Sequence, residues 1–365
     1  MNTVFDPIKI KKSLTESLMW AEKRATDYTV FLVANIVGNL DWIFDYDEFD
    51  SDAQGYTEQE FEAFFSALQD FGFNVVAFLS EKEFVKFLAN SHPLNSTDQH
   101  YLCYNMSEGG KGPGQKALIP ALANFYGIQV CNSSPYATSL CHHKFHVNEL
   151  LSHSGIPCPK SWMFDLEYGW YKGNEPAEGT RVIVKPIYES MCIGVDKSSL
   201  ITWSKSHLEF LERRCRSLRQ PMIVQCYVEG FELCCPIIET NDLLVLNPIG
   251  FEIDSKSYLG DDYKIYKGSD EVTYSISRPT EIQAHTLEAM RADALRIFQL
   301  LGMQGLGRFD ARVTRTGEYF FFDTNESPPP LNGTALHTSL TYLGFSESEA
   351  LQLFVVSNLM RLFQE

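Results

Sequence analysis

The chain alternates short apolar runs with amphipathic stretches almost from its start. Tyr28 to Gly38 (YTVFLVANIVG) is a nearly unbroken apolar run that predicts a buried strand closing on Asn and Gly, whereas Thr57 to Phe71 (TEQEFEAFFSALQDF) spaces its apolar residues for a helix. After Gly72 the run NVVAFLS predicts a second strand and Glu81 to Ala89 a second helix. Tyr101 to Met106 (YLCYNM) predicts a further strand before the turn-rich SEGGKGPG, and Gln115 to Tyr126 a helix leading into the short strand GIQVCN. This alternation predicts an α/β class, an open and partly parallel sheet crossed by helices. The loops after the strand carboxyl ends would form its ligand edge.

From about Ser139 the pattern changes. A helix-like SLCHHKFHVNELLSHS is followed by the break GIPCPKSW, the strand RVIVKP, the loop ESMCIGV, a helix over Lys205 to Arg216 and the strand MIVQCYV. Between Trp170 and Thr180 the turn-like WYKGNEPAEGT predicts a hairpin tip or a mobile edge. Beyond Gly230 come FELCCPII, an acidic tyrosine-rich loop around GDDYKIYKG, a helix from about Glu281 to Leu301, and the strand pair within GRFDARVTRTGEYFFFDTNESPPP. Three parts are expected: 1–138, an amino-terminal α/β substrate domain; 139–225, a small lid subdomain; and 226–365, a carboxy-terminal subdomain with the metal and catalytic residues.

Charge narrows the class. Against 47 acidic residues stand 30 Lys and Arg, a formal net charge of -17, which excludes a general nucleic-acid binder. The apolar content of 44% supports a packed chain. The start, MNTVFDPIKIKKS, lacks a hydrophobic run and no later stretch approaches membrane-spanning length, so a soluble, cytoplasmic protein without a membrane partner is expected. The 9 cysteines form no CxxC arrangement and are read as reduced thiols.

The candidate chemistry gathers near the carboxy terminus. Asp323 and Asn325 lie two apart and share a face if they are in a strand, with Asp310 on the partner strand; such oxygen donors suit Mg2+ on nucleotide phosphates, although a solvated hairpin would carry them equally well. Lys185 ends the apolar run RVIV, where an ammonium is unfavourable unless an anion meets it. The following loop contains only one glycine, Gly194, and is no Walker A sequence. Arg308 would face developing negative charge or pair with Asp310, and Glu232 would accept from ribose hydroxyls or face solvent. His142 and His146 have i,i+4 spacing on the expected helix, yet no HExxH pattern or third ligand accompanies them. Arg213, Arg214, Arg216 and Arg219 read as a solvated helix face.

In this order, NMSEG, GPGQKALIPALANFYGIQVCNSSPYATSLCHHKFHVNELLSHSGIPCP, RVIVKP, VEGFEL, GLGRFD and FFFDTNESP resemble the ATP-grasp superfamily, and within it the D-alanine-D-alanine ligase branch, over roughly Tyr101 to Phe354. The resemblance implies an ATP-grasp fold, with ATP clasped between two antiparallel sheets and an amino-terminal open α/β domain before them. It implies that Lys144 and Lys185 contact phosphates, with Glu189 opening the nucleotide loop. Gln225, Tyr227 and Val228 would line the adenine edge, and Glu232 would bind the ribose. Asp310, Asp323 and Asn325 would hold two Mg2+ ions, for which Mn2+ would substitute, and Arg308 would stabilise the oxyanion of an acyl phosphate. Lys264 and Tyr266 fall in the loop, Ser257 to Lys267, that would close over the reaction.

The implied activity is an ATP-dependent, ADP-forming carboxylate-amine ligase joining an amino acid or related small acid to an amine acceptor, with room for a homodimer. Substrate recognition departs from the family. Where its loop reads EGSSxGV, this chain has Met191 in place of a hydroxyl; its amino-terminal segment, VANIVGNLDW, lacks the amine-binding Glu; and Pro329 removes an N–H available for a substrate carboxylate. A nucleotide-binding regulator or scaffold without turnover, or a ligase with a hydroxyl or thiol acceptor, is the alternative.

Overall fold

The computed structural model of the protein describes residues 6–38, 55–90, 99–109, 112–265 and 273–363. Helix α1 (Pro7–Glu22) opens on Asp6, whose carboxylate accepts from the Ile8 N–H at 3.0 Å, and buries Ile10, Leu14, Leu18 and Ala21 along one face. Strand β1 (Tyr28–Ala34) is buried throughout. It is followed by α2 (Glu58–Phe71), β2 (Asn74–Phe78), α3 (Glu81–Asn90), β3 (His100–Met106), α4 (Leu118–Phe125) and β4 (Gln129–Val130). Thr57 and Glu60 close a capping box at the start of α2, and Gly72 ends it at φ 106°. The strands form one parallel sheet in the order β2-β1-β3-β4. The open parallel sheet expected from the alternation is therefore present.

The helix expected from Ser139 is two helices, α5 (Pro135–His142) and α6 (Lys144–His153). They part at His143, which leaves helical geometry at ψ 84° and uses Nδ1 to accept from the His146 N–H at 3.2 Å, capping α6. His142 and His146 therefore do not share a helix face. The break also places Lys144 in the first turn of α6.

A second sheet contains β5 (Ser161–Asp165), β6 (Gly169–Trp170), β7 (Arg181–Pro186), β8 (Leu200–Thr202) and β9 (Met222–Cys226), with α7 (Leu208–Leu218) before β9. Its order is β6-β5-β9-β7-β8 and all its pairings are antiparallel. Along α7, Arg214 is buried against Asp196, while Arg216 is exposed and pairs with Glu212, so the arginine cluster is not one solvated face.

The third sheet is built around the long β10 (Gly230–Glu239), with β11 (Leu243–Val245), β12 (Ile249–Ile253), β13 (Tyr258–Leu259), β14 (Tyr274–Ser277), β15 (Leu306–Val313) and β16 (Tyr319–Asn325). Its main path is β14-β12-β10-β15-β16, again antiparallel. Helix α8 (Ala284–Leu300) covers one face with Met290, Ala294, Ile297 and Phe298. Helix α9 (Ala335–Tyr342) leads to α10 (Glu347–Phe363), which packs on α1 and α2 and is buried from Ala350 through Met360. The carboxy terminus thus completes the core of the first sheet. Where β15 begins, Gly305 (φ 72°) lies so close to Asn132 and Asn358 that a Cβ would stand 2.4 Å from Asn358 Oδ1.

Candidate nucleotide and metal site

Period-two alternation on β15 sends Arg308, Asp310 and Arg312 to one face. Opposite them on β10, in register, stand Pro236, Cys234 and Glu232. On the other side Asp310 faces Asp323 and Arg308 faces Asn325. A bulge between Asp310 and Ala311 makes Phe321 the partner of Ala311 and leaves Phe322 as the extra residue. Phe321 is fully buried beneath the sheet, and the ring of Phe322 lies 4.7 Å from the Lys185 ammonium. The bulge is what lets a run of three phenylalanines serve both faces.

The three expected metal donors are of a chemistry that suits a hard divalent cation. Asp310 and Asp323 are directly paired across two strands, and Asp310 Oδ1 is buried without a hydrogen-bond partner. Asp310 Oδ2 accepts from Arg308 at 3.0 Å. Asn325 Oδ1 accepts from the Ser327 N–H at 3.0 Å and keeps a second lone pair. Among the described residues no group of three His, Cys, Asp or Glu side chains gathers as a metal cage. Two carboxylates and an amide, with phosphate oxygens completing the shell, suit magnesium better than a cage would.

Cations converge on the same place. Lys144 Nζ donates to the Glu189 carbonyl at 2.9 Å and stands 3.5 Å from Asp323 Oδ1, bridging the second and third sheets. Lys185, on β7, is half-buried and makes no ion pair among the described residues. Burial lowers its pKa, against the pull of Asp323. Burial alone would raise the Asp323 carboxyl, but Lys144, Lys185 and Arg308 hold it below the usual range. Arg308 is likewise desolvated, yet Asp310 pushes its pKa up, and its Nε is buried without a partner.

Glu232 is 3% exposed and fully engaged: Oε1 meets Lys264 at 2.7 Å and Oε2 meets Arg312 at 3.0 Å. Burial would raise it, but Lys264 and Arg312 bring it down to about 2. Lys264 therefore reaches the cleft as a partner of the expected ribose acceptor. Tyr266 lies outside the described residues. Lys144, Lys185, Lys264, Arg308 and Arg312 outnumber Glu232, Asp310 and Asp323 here, a local positive excess in an acidic protein that suits a polyphosphate.

The remaining expected nucleotide residues line the connection from β9. Gln225 is buried and donates to Ser161 Oγ at 3.2 Å. The N–H groups of Cys226 and Tyr227 are spent on the carbonyls of Lys160 and Arg181, at 2.8 and 3.0 Å. That leaves Val228 as the residue of this stretch whose N–H has no partner among the described residues. Tyr227 uses its hydroxyl on the carbonyls of Gly260 and Asp262, both at 2.8 Å, pinning the loop that carries Lys264. Glu189 is buried and accepts from Gln220 Nε2 at 2.7 Å, so its carboxylate supports the loop.

That loop turns tightly. Ile193 N–H donates to the Ser190 carbonyl at 3.0 Å, and both central residues, Met191 and Cys192, have positive φ, 51° and 60°. This is the geometry for which Asn-Gly is favoured, here carried by two residues with side chains. The Met191 side chain is half exposed.

Three participants escaped the sequence reading. Arg312 carries the same alternation signal as Arg308 and Asp310 and could have been found by extending it two residues. Lys116 and Glu326 could not, because only the fold brings the segment after β3 next to the end of β16. Lys116 Nζ pairs with Glu108 at 2.8 Å, and Glu326 is 3% exposed with Oε1 unpartnered.

Comparison with known proteins matches residues 150–341 to the family described as D-ala D-ala ligase C-terminus. The chain is 26% identical over 219 residues to a D-alanine–D-alanine ligase of Marinobacter nauticus, an alignment covering 60% of this chain and 63% of that one. Against a D-alanine–D-alanine ligase of Cupriavidus taiwanensis it is 22% identical over 247 residues, 67% and 73% of the two chains. Among solved structures, the VanG D-Ala:D-Ser ligase of Enterococcus faecalis superposes with a TM-score of 0.67 at 18% identity, covering 91% of this chain and 100% of the other. A D-alanine–D-alanine ligase of Bacillus anthracis complexed with ATP gives 0.66 at 15% identity, covering 91% and 97%.

Proposed function

The chain belongs to the D-alanine–D-alanine ligase family, and from that premise we propose that it is an ATP-dependent, ADP-forming carboxylate-amine ligase of ATP-grasp fold. The observation that carries this reading is the meeting of Lys144 and Lys185 with Arg308, Asp310, Asp323 and Asn325 between two antiparallel sheets, Asp310 Oδ1 and Arg308 Nε both buried and unpartnered. The division into 1–138, 139–225 and 226–365 gives the substrate domain, lid and metal-bearing subdomain of this reading.

Lys144 and Lys185 hold the triphosphate, and Val228 offers its N–H to the adenine edge beside Gln225. Glu232 accepts from the ribose while Lys264 and Arg312 fix its carboxylate. Asp310, Asp323 and Asn325 would hold Mg2+, two ions in this reading, which would supply positive charge to screen the phosphate oxygens. A substrate carboxylate oxygen attacks the terminal phosphorus, ADP leaves, and an acyl phosphate forms. The acceptor amine then attacks the acyl carbon, the carbon–oxygen bond to phosphate breaks, and Arg308 stabilises the oxyanion between these events. The loop holding Lys264 excludes water that would hydrolyse the acyl phosphate. All 9 cysteines are free thiols, which fits a cytoplasmic setting.

Hydroxylamine tests this directly. With ATP, Mg2+ and pooled carboxylic acids it should intercept the acyl phosphate as a hydroxamate with stoichiometric ADP. Nucleotide binding without hydroxamate from any acid in a chemically broad pool would contradict the reading.

A further inference from the structure

The base end of the nucleotide cleft is governed by a chain of hydrogen bonds that has a direction. In the second sheet Gln225 on β9 lies in register with Ser161 on β5 and with Ile183 on β7, and Lys185 stands two residues beyond Ile183. Pairing and period-two alternation place Ser161, Gln225 and Lys185 on one face of that sheet. The Lys185 ammonium, 4.7 Å from the Phe322 ring, marks this face as the one turned to the third sheet. Gln225 is 2% exposed. The Ser161 hydroxyl donates to the Pro159 carbonyl at 3.1 Å, and Ser161 Oγ accepts from Gln225 Nε2 at 3.2 Å.

The order of donors follows from the groups themselves. A carbonyl can only accept, so the one proton of the Ser161 hydroxyl is spent on Pro159, and what remains at Oγ is a lone pair. The NH2 end of the Gln225 carboxamide can meet that lone pair, and the oxygen end cannot. The anchor is itself held, because buried Asn148 donates Nδ2 to the same Pro159 carbonyl at 3.0 Å. Turning the carboxamide over would set Oε1 against Oγ and force the hydroxyl to give up Pro159. Oε1 is therefore the end held away from Ser161. A glutamine alone does not choose between an amino and an oxo group on a purine, since it has one end that accepts and one that donates. Here the choice is made one residue away.

We propose that Ser161 is a positioning residue that sets base selectivity, holding Gln225 Oε1 toward the base as an acceptor for the exocyclic amino group of adenine and so rejecting a 6-oxo purine. The proposal rests on the nucleotide reading above and on its placement of Gln225 at the adenine edge.

The test is nucleotide binding by calorimetry on the full chain with Mg2+, comparing ATP with inosine triphosphate, ITP, which carries an oxo group at position 6. The N1–H of ITP opposes the Val228 N–H in every variant, so a change in the ITP-to-ATP ratio of dissociation constants reads position 6. The wild type should favour ATP. Ser161→Ala frees the carboxamide to turn and should lower that ratio about fivefold or more, the size of one exchanged hydrogen bond. Ser161→Thr keeps the hydroxyl and should keep the ratio. Gln225→Glu, whose carboxylate has no donor end, should favour ATP with Ser or with Ala at 161. Equal affinities in the wild type overturn the proposal, as does a ratio within twofold of wild type in Ser161→Ala. Equal weakening of both nucleotides in that variant also overturns it, being what lost packing alone would give. Failure of the wild type to bind either nucleotide contradicts the nucleotide reading and the proposal with it, whereas ATP binding with an unmoved ratio leaves that reading standing and removes only the role of Ser161.

Discussion

Glu232 in the cleft and Glu326 just after β16 are buried to the same 3% exposure, yet their carboxyls move in opposite directions. Burial pushes both up. At Glu232 the ion pairs with Lys264 and Arg312 outweigh it and bring the carboxyl down to about 2, whereas at Glu326 burial prevails and Lys116 only moderates it. Depth in the protein is therefore not what distinguishes them. One site has its counter-charges built in, and the other keeps a buried oxygen without a hydrogen-bond partner.

The largest expected effect concerns catalysis in the cleft. Asp310→Asn or Arg308→Ala should lower ADP release by about two to three orders of magnitude, because in the proposed reading each removes charge that serves the transferring phosphoryl group or the oxyanion. Steady-state ADP assays check this, and wild-type turnover in either variant would refute the assignments.

Next come the two glutamates, predicted to respond with opposite signs. Glu232→Gln leaves Lys264 and Arg312 unpaired in the interior and should destabilise the protein by about 3–5 kcal/mol in urea unfolding. Because the folded carboxyl lies below its ordinary 4.5, the stability from Glu232, about 3 kcal/mol, is present above pH 4.5 and is lost as pH falls toward 2. Glu326→Gln should instead stabilise the ligand-free protein near neutral pH by about 1–3 kcal/mol, the cost of an unmatched buried carboxylate. The folded Glu326 carboxyl lies above its ordinary value, so the wild type gains stability as pH falls through it, and the variant should lose that gain. Equal responses of the two variants would dissolve the contrast.

The smallest effect lies in the loop over the nucleotide site. Replacing Met191 and Cys192 by Asn and Gly supplies residues suited to positive φ and should stabilise the fold by about 1 kcal/mol, read as a rise in Tm. Met191→Ser should change selectivity among acids more than nucleotide affinity, as steady-state competition would show.

What could be read in advance follows the range of the interactions. Alternation on β15 and β16 exposed Arg308, Asp310, Asp323 and Asn325, and the apolar run before Lys185 marked it as an ammonium in an unlikely place, all from neighbours within a few residues. The split at His143 was hidden because its cap is made by one imidazole on one N–H, a geometry that apolar spacing does not carry. The bulge at Phe322 was hidden because an extra residue in one strand shows only against its partner. Glu326 carries no local signal of its own before a proline run, and its burial arises from packing against a segment that the chain reaches more than two hundred residues earlier. Tyr266 lies beyond the described residues and retains only its place in the sequence.

The account stands on acyl phosphate formation in the cleft, and isotope transfer reads that step directly. Carboxylic acids labelled with 18O in the carboxylate, supplied with ATP, Mg2+ and an amine, should deliver one labelled oxygen to each inorganic phosphate released alongside the condensed product. Phosphate released with no label while product accumulates would contradict it, because the acid would then have been activated without its oxygen ever bonding to phosphorus.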